Sequence, residues 1–246
     1  MPKEPRKRVS NSKPQGDTFT RNLVIGMIGL VVLSGVVFTV LDRKGGDTAE
    51  IPVAIQNLSQ DSNGEKIVAD VVAEDDSGIV FNKEATPRVD LWEDPQCPYC
   101  KAFENALGSY IEDLKRSGSA KVVYHMVSFL GEESVRAANA AYCAVPEGRF
   151  IEFHKAIYAV QGAEGSGIYS NKNLVEMGKR LGITSPEFAK CVTDGQKIDL
   201  VKKVYDSMKK NKVESTPTVF INGKLWRPTG SGFNLDEFKA AVEAAR

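Results

Sequence analysis

The chain is predicted to be an α/β protein, with short strands at either end of a long helical stretch and one apolar segment ahead of the folded part. Three observations carry this expectation. Leu23 to Leu41 is an uninterrupted apolar run without a charge. A β-type run, Arg88–Trp92, leads into Cys97-Pro98-Tyr99-Cys100 and then into a helix-period pattern. After about 80 mostly helical residues comes a hairpin signal, Thr218–Ile221 and Lys224–Trp226 around Asn222-Gly223.

The apolar segment comes first in the chain. Its 19 residues would span roughly 28 Å as a helix, about one hydrocarbon core. Valine and glycine do not argue against helix there, because lipid offers the backbone no other hydrogen-bond partners. Residues 1–22 carry Lys3, Arg6, Lys7, Arg8, Lys13 and Arg21 against Glu4 and Asp17, a local excess of four positive charges. Basic residues stay on the cytoplasmic side, so residues 1–22 form a cytoplasmic tail, 23–41 a transmembrane helix, and the rest lies outside the cytoplasm. A cleaved signal peptide is the competing reading. Its apolar core is usually shorter, and no A-x-A-like site lies near Leu41. Residues 42–77, with Gly45-Gly46 and Ser62-Asn63-Gly64, read as a polar linker in which Ile51–Leu58 is either a strand or more linker.

The folded domain is placed at 78–246, starting near Ile79-Val80-Phe81. The 246 residues hold 32 basic and 32 acidic side chains, so no overall field points to nucleic acid. Pro98 to about Ser117 is a helix, with Phe103, Leu107, Tyr110, Ile111 and Leu114 on one stripe. Lys121–Phe129 is a strand. A helical stretch follows over about 132–212, where Phe150, Phe153, Ile157 and Tyr158 form one apolar face and Leu174, Met177 and Leu181 another. Ser185-Pro186-Glu187 is a capped helix start, and Ile198, Val201, Tyr205 and Met208 mark a further helix. The last helix begins after Asn234, with Glu237 placed as in a capping box.

The chemistry is expected at Cys97 and Cys100. Three-residue spacing in a first helical turn sets both sulfurs on one face, near enough to bridge. Cys97 would sit exposed at the helix N-terminus, where unpaired N–H groups and the helix dipole favour a thiolate. That makes Cys97 the attacking sulfur, with Cys100, one turn inside, the resolving thiol. Pro98 has no N–H to lose there. Half of a zinc site is the alternative, but zinc takes four ligands. Cys143 and Cys191 stand alone, and His125 and His154 have no partner at ligand spacing, so neither a metal nor a cofactor is expected. A purely structural Cys97–Cys100 bridge is disfavoured, since so small a loop constrains the unfolded chain little. Val213 to Ile221 adds a proline, Pro217, just before a strand.

Glu93-Asp94-Pro95-Gln96-Cys97-Pro98-Tyr99-Cys100, Thr216-Pro217-Thr218-Val219-Phe220-Ile221-Asn222-Gly223 and the spacing between them resemble the thioredoxin-fold oxidoreductases, and within them the DsbA-like branch. The resemblance covers about Gly78 to Arg246. It implies a thioredoxin fold with an inserted helical domain, here preceded by one N-terminal transmembrane helix. It also implies a cis Pro217 beside Cys97, and a Thr216 backbone that pairs with substrate. The implied activity is disulfide formation in secreted or envelope proteins, with reoxidation by a quinone-linked membrane partner, in a tethered enzyme of Gram-positive or actinobacterial type. A disulfide reductase or isomerase of the same fold, or a non-catalytic tethered binding module, are the alternatives. No segment reads as a dimerisation domain, so a monomer is expected.

One departure stands out. Many members carry a buried acid six residues before the first cysteine; here Leu91 stands there, with Asp90 and Glu93 nearby. The middle dipeptide is Pro-Tyr rather than the Pro-His known from strong oxidants. The resemblance also includes members with a bridge near Cys143 and Cys191. A structural disulfide between them is therefore expected, with two free buried thiols or a regulatory pair as the other readings. His125 and His154 read as structural, and Trp92 and Trp226 as core or rim. Glu93 and Asp94 read as a solvated turn or as residues tuning Cys97. Tyr99 is expected to be exposed beside the sulfurs.

Overall fold

The computed structural model describes Ile55, residues 69–71 and residues 78–246, all within the compact unit Glu50–Arg246. The predicted tail at 1–22 and the apolar segment at 23–41 lie outside the described residues, as does nearly all of the linker at 42–77. Among the described residues no helix is long and apolar enough to cross a membrane.

The described elements run β1 (Asp70–Val71), β2 (Ile79–Phe81), β3 (Arg88–Glu93), α1 (Pro98–Ser117), β4 (Lys121–Met126), α2 (Glu132–Ala144), α3 (Phe150–Val160), α4 (Asn171–Arg180), α5 (Pro186–Thr193), α6 (Ile198–Lys210), β5 (Thr218–Ile221), β6 (Lys224–Trp226) and α7 (Leu235–Glu243). The strands form one mixed sheet in the order β1-β2-β4-β3-β5-β6. β3 and β4 run parallel, with Leu91 opposite Tyr124 and Glu93 opposite Met126; the other pairs are antiparallel. Parallel neighbours need a crossover, and α1 supplies it. Both central strands are buried along nearly their whole length, as strands covered on both faces are.

α1 buries Phe103, Leu107, Ile111 and Leu114, while Tyr110, read on the same stripe, lies half-buried at its edge. The helix stops at Gly118, whose φ of 70° is left-handed and whose N–H returns to the Leu114 carbonyl. The Asn82 side chain closes the same end by donating to the carbonyls of Leu114, Lys115 and Ala120. The 132–212 stretch resolves into five helices, two of them beginning at the predicted starts near Ser185 and Ile198. Gly178 of α4 faces the ring of Phe188 in α5 so closely that a Cβ there would lie 2.2 Å from it. Cys143 and Cys191 form a disulfide (S–S 2.02 Å, Cα–Cα 5.9 Å), which ties α2 to α5.

Two boundaries differ from expectation. β3 runs one residue further, to Glu93, because Val127 N–H donates to the Glu93 carbonyl at 2.8 Å. β4 ends at Met126 rather than Phe129, because the N–H groups of Phe129 and Leu130 turn away to the Asp94 carboxylate. At α7 the Asn234 side chain caps as expected, accepting from Glu237 N–H. The Glu237 carboxylate instead accepts from Thr229 N–H, so the capping box is only half made.

Candidate active site

β3 aims the chain at the site and Asp94-Pro95 ends it, since proline has no N–H to extend the ladder. Cys97 is the N-cap of α1, and Pro98 opens the helix. This corrects one expectation: Cys97 is not exposed at the helix tip but retains only 5% of its accessible surface. Cys100 is fully buried, and the two sulfurs with Tyr158 form a small apolar cluster under Leu130. Tyr99 is 70% exposed beside them, the predicted place. Both cysteines are free thiols.

The Thr216–Pro217 peptide bond is cis. The Cys97 thiol lies 3.3 Å from the Thr216 carbonyl, within hydrogen-bond reach for sulfur. The Cys97 pKa is brought down to about 6, first by a hydrogen bond from the Cys100 thiol, then by donors from Thr216 and the N–H groups of Cys100 and Tyr99. The dipole argument is therefore only part of the cause; the neighbouring thiol is the larger one. Burial pushes the Cys100 thiol well above its ordinary value, and the charge of Glu93 adds to the shift. The two thiols thus divide into an acidic nucleophile and a proton-holding partner.

The segment between β3 and α1 is held from the helical insertion. Asp94 is fully buried rather than lying in a solvated turn. Its Oδ1 accepts from Gln96 N–H at 2.9 Å and from the Ser134 hydroxyl at 2.6 Å; its Oδ2 accepts from the N–H groups of Phe129 and Leu130 at 2.9 and 3.1 Å. The Gln96 amide donates to the Leu130 carbonyl and accepts from Gly165 N–H. The Gln161 amide donates to the carbonyls of Pro95 and Cys97 at 2.7 and 3.0 Å. Gln96, Gln161 and Ser134 were not singled out in the sequence. Only their convergence in space marks them.

Glu93 is also fully buried, so its reading as a solvated turn is overturned too. Leu91, at the sixth position before Cys97, is an apolar core residue, and Asp90 turns to Arg88 and His125. The buried acid near the sulfurs is therefore Glu93, four residues before Cys97. Its Oε2 is hydrogen-bonded to His154 Nε2 at 3.0 Å, and its Oε1 has no hydrogen-bond partner. Burial pushes its pKa up to about 8. Glu104 on α1 lies beside it and is pushed up to about 8 by burial and by the Glu93 charge. Burial takes His154 down to about 4, keeping it neutral. His154 is thus more than a packing residue. His125 keeps the structural reading, stacked on Trp92 at 4.0 Å, and Trp226 meets Phe238 at the rim of the core.

Glu93, Glu104 and His154 bring two carboxylate oxygens and an imidazole nitrogen within 4.8 Å of one another, the one metal-like grouping among the described residues. Lys115, buried nearby with its ammonium 2.6 Å from the Tyr124 hydroxyl, already supplies positive charge to the two acids. The arrangement suits proton sharing better than cation binding.

A strand, a dithiol at a helix start and the Thr216 carbonyl of a cis Thr216–Pro217 bond facing the first sulfur define a thioredoxin-fold dithiol protein. The thioredoxin family profile matches residues 76–244, and the chain belongs to that family. Among solved structures it is similar to MdbA, a thiol-disulfide oxidoreductase from Corynebacterium matruchotii, with 25% identity and a TM-score of 0.61 over 72% of this chain and 94% of that one. It is also similar to DsbA from Mycobacterium tuberculosis, with 26% identity and a TM-score of 0.57 over 75% and 90%. A curated relative, a Na(+)/H(+) antiporter NhaA 1 of Salinispora arenicola, is 28% identical over 164 residues. This match takes in 66% of the present chain but only 24% of the antiporter's length. The folded part is a DsbA-like thiol–disulfide oxidoreductase domain.

Proposed function

We propose that the chain is an extracytoplasmic thiol–disulfide oxidoreductase that introduces disulfide bonds into secreted or envelope proteins. One observation carries this reading: the Cys97 sulfur, with its pKa at about 6, sits against the Thr216 carbonyl, while Cys100 is buried with its thiol held protonated. In the oxidised enzyme a substrate thiolate attacks Sγ of Cys97. The Cys97–Cys100 bond breaks, and Cys100 leaves as a thiolate that takes a proton. A second substrate thiolate then attacks the substrate sulfur of the mixed disulfide, and Cys97 leaves as a stabilised thiolate. Two substrate thiols become one disulfide, and the enzyme keeps the two electrons. A good leaving thiolate at Cys97 drives the reaction toward substrate oxidation. Reoxidation is assigned to a quinone-linked membrane partner.

Segment 23–41 is proposed as the anchor, with the basic residues ahead of it on the cytoplasmic side and residues 78–246 outside. Protease added to intact cells should then release the folded domain, and a domain protected until lysis would reverse this topology.

The redox test is equilibration with glutathione. A thiol at about 6 lies between the ~7 of thioredoxin and the ~3.5 of DsbA. The expected potential is therefore between roughly −270 and −120 mV. A value at the thioredoxin end or below would favour the reductase reading. Cys97→Ser should lose oxidation of a reduced substrate, and Cys100→Ala should accumulate mixed disulfides through Cys97 on non-reducing gels. Full turnover by Cys97→Ser would refute the assignment.

A further inference from the structure

The turn that carries Cys97 is held from two sides. Within it, the Cys97 N–H donates to the Asp94 carbonyl at 3.0 Å, and the Cys97 carbonyl accepts from the N–H groups of Cys100 and Lys101 at 3.1 and 3.2 Å, as at a helix start. From outside, one amide nitrogen makes two further contacts. Nε2 of Gln161 lies 2.7 Å from the Pro95 carbonyl and 3.0 Å from the Cys97 carbonyl. Its two hydrogens thus go to the two carbonyls that bracket the Gln96-Cys97 pair. Gln161 is itself fixed. It is the C-cap of α3, its N–H returns to the Tyr158 carbonyl, and its own carbonyl accepts from the Lys101 ammonium at 3.2 Å. Gln96 answers in the other direction, accepting from Gly165 N–H at 2.8 Å a few residues beyond Gln161. The end of α3 and the start of α1 are therefore clasped by side chains that reach each other's backbone.

We propose that Gln161 is a positioning residue for the dithiol: by bridging the Pro95 and Cys97 carbonyls it holds the turn in which the N–H groups of Tyr99 and Cys100 face the Cys97 sulfur, and so tunes the oxidising strength of the Cys97–Cys100 pair. The inference rests on the oxidoreductase reading above. It goes beyond bracing the loop. A brace changes how firmly the domain holds together, whereas this contact acts on the balance between thiolate and disulfide.

Two physical effects join here. Donors fixed in advance around a charge stabilise it without having to reorganise, and a turn free to tilt loses that advantage. A carbonyl oxygen short of donors near the sulfur also opposes a thiolate. The Pro95 carbonyl is the exposed case. Besides Gln161 it has the Tyr169 hydroxyl at 3.2 Å, and that hydroxyl has a nearer acceptor, the Ile157 carbonyl at 2.8 Å. The titratable groups that face Cys97 are Cys100 on α1, Glu93 at the end of β3 and Tyr158 on α3. A substitution at Gln161 changes none of them. Gln161 is half-buried, so a side chain of the same length can replace it without opening the core.

The test compares full-length wild type, Gln161→Met and Gln161→Glu. The pH dependence of Cys97 alkylation by iodoacetamide in the reduced proteins, located by mass spectrometry, gives the thiolate equilibrium. Equilibration with glutathione at about pH 8, above the Cys97 value of about 6, gives the potential. Gln161→Met keeps the length and carries no charge, so its shift reads the lost donors alone. Its thiolate equilibrium should move about three- to tenfold toward the thiol, the worth of one hydrogen bond. The glutathione equilibrium should move by the same factor toward the enzyme disulfide, making the couple roughly 15–30 mV more reducing. Gln161→Glu, with oxygens facing the two carbonyls, should move both further in the same direction. An unchanged thiolate equilibrium in Gln161→Met, even with a loss of stability in urea, would mark a brace alone and overturn the inference. A thiolate shift without the matching change in potential would overturn it too. Wild-type protein with an ordinary Cys97 thiol and no exchange with glutathione would instead overturn the oxidoreductase reading.

Discussion

Asp94 accepts from Gln96, Phe129, Leu130 and Ser134, which belong to the active-site loop, the segment after β4 and the start of the helical insertion. Burying a carboxylate is costly unless its oxygens are satisfied, and here four donors satisfy them. Asp94→Ala would leave three buried N–H groups without an acceptor. The expected loss is roughly 2–4 kcal/mol of stability, from about 1–3 kcal/mol for each orphaned donor with partial relaxation. Urea unfolding of the oxidised protein measures it, and a loss under about 1 kcal/mol would show that water or rearrangement replaces the carboxylate. Glu93, its chain neighbour, behaves in the opposite way. With one oxygen bonded and one bare, burial leaves it proton-holding near neutral pH. Adjacent acids thus take different jobs because their hydrogen-bond partners differ.

The helices of the insertion brace the cysteine helix. α3 presents His154 and Tyr158 to the region of Glu93 and the sulfurs, and Gln161, just past its end, donates to the carbonyls of Pro95 and Cys97. α2 supplies Ser134 to Asp94. The Cys143–Cys191 bridge joins α2 to α5 across 48 residues of chain. In the chain-entropy account a loop of that length contributes roughly 4 kcal/mol. Replacing both cysteines by serine should lower unfolding free energy by about that much while leaving the Cys97–Cys100 potential within a few millivolts. Measured by denaturant titration and glutathione equilibration, a large change in potential would mean that the bridge governs the active site as well as the insertion.

Across the whole domain, the redox state of two sulfurs sets a pH-dependent stability. In the reduced folded protein the Cys97 pKa is lowered from about 9 to about 6, so the folded state favours the thiolate. A lowered acid pKa stabilises fully above the unfolded value and loses that contribution as pH falls through the folded value. The oxidised protein has no such group. The melting temperature of the reduced form relative to the oxidised form should therefore be highest at about pH 9 and fall steadily as the pH drops from about 9 to about 6, with little further change below that. Parallel melting curves for the two forms across that range would show that Cys97 does not carry the stabilisation.

Most of the architecture was legible because local rules write it: the strand before Cys97, the helix from Pro98, the Ser185 and Asn234 caps, and the Asn222-Gly223 hairpin all recur where their residues fall. These features depend on near neighbours in the chain, so periodicity and turn chemistry suffice to find them. The cysteine motif was legible for the same reason. The fate of charged side chains was not. Glu93, Asp94, Glu104 and Lys115 look like surface residues in a one-dimensional reading, and all but Glu104 are more than nine-tenths buried. The roles of Asp94 and Glu93 arise from partners 35 to 61 positions away, Phe129, Leu130 and Ser134 for Asp94 and His154 for Glu93, and from the water the packed helices exclude. Folding alone brings such distant groups together, and the energy of a buried charge depends on what it meets there, not on its neighbours in the chain.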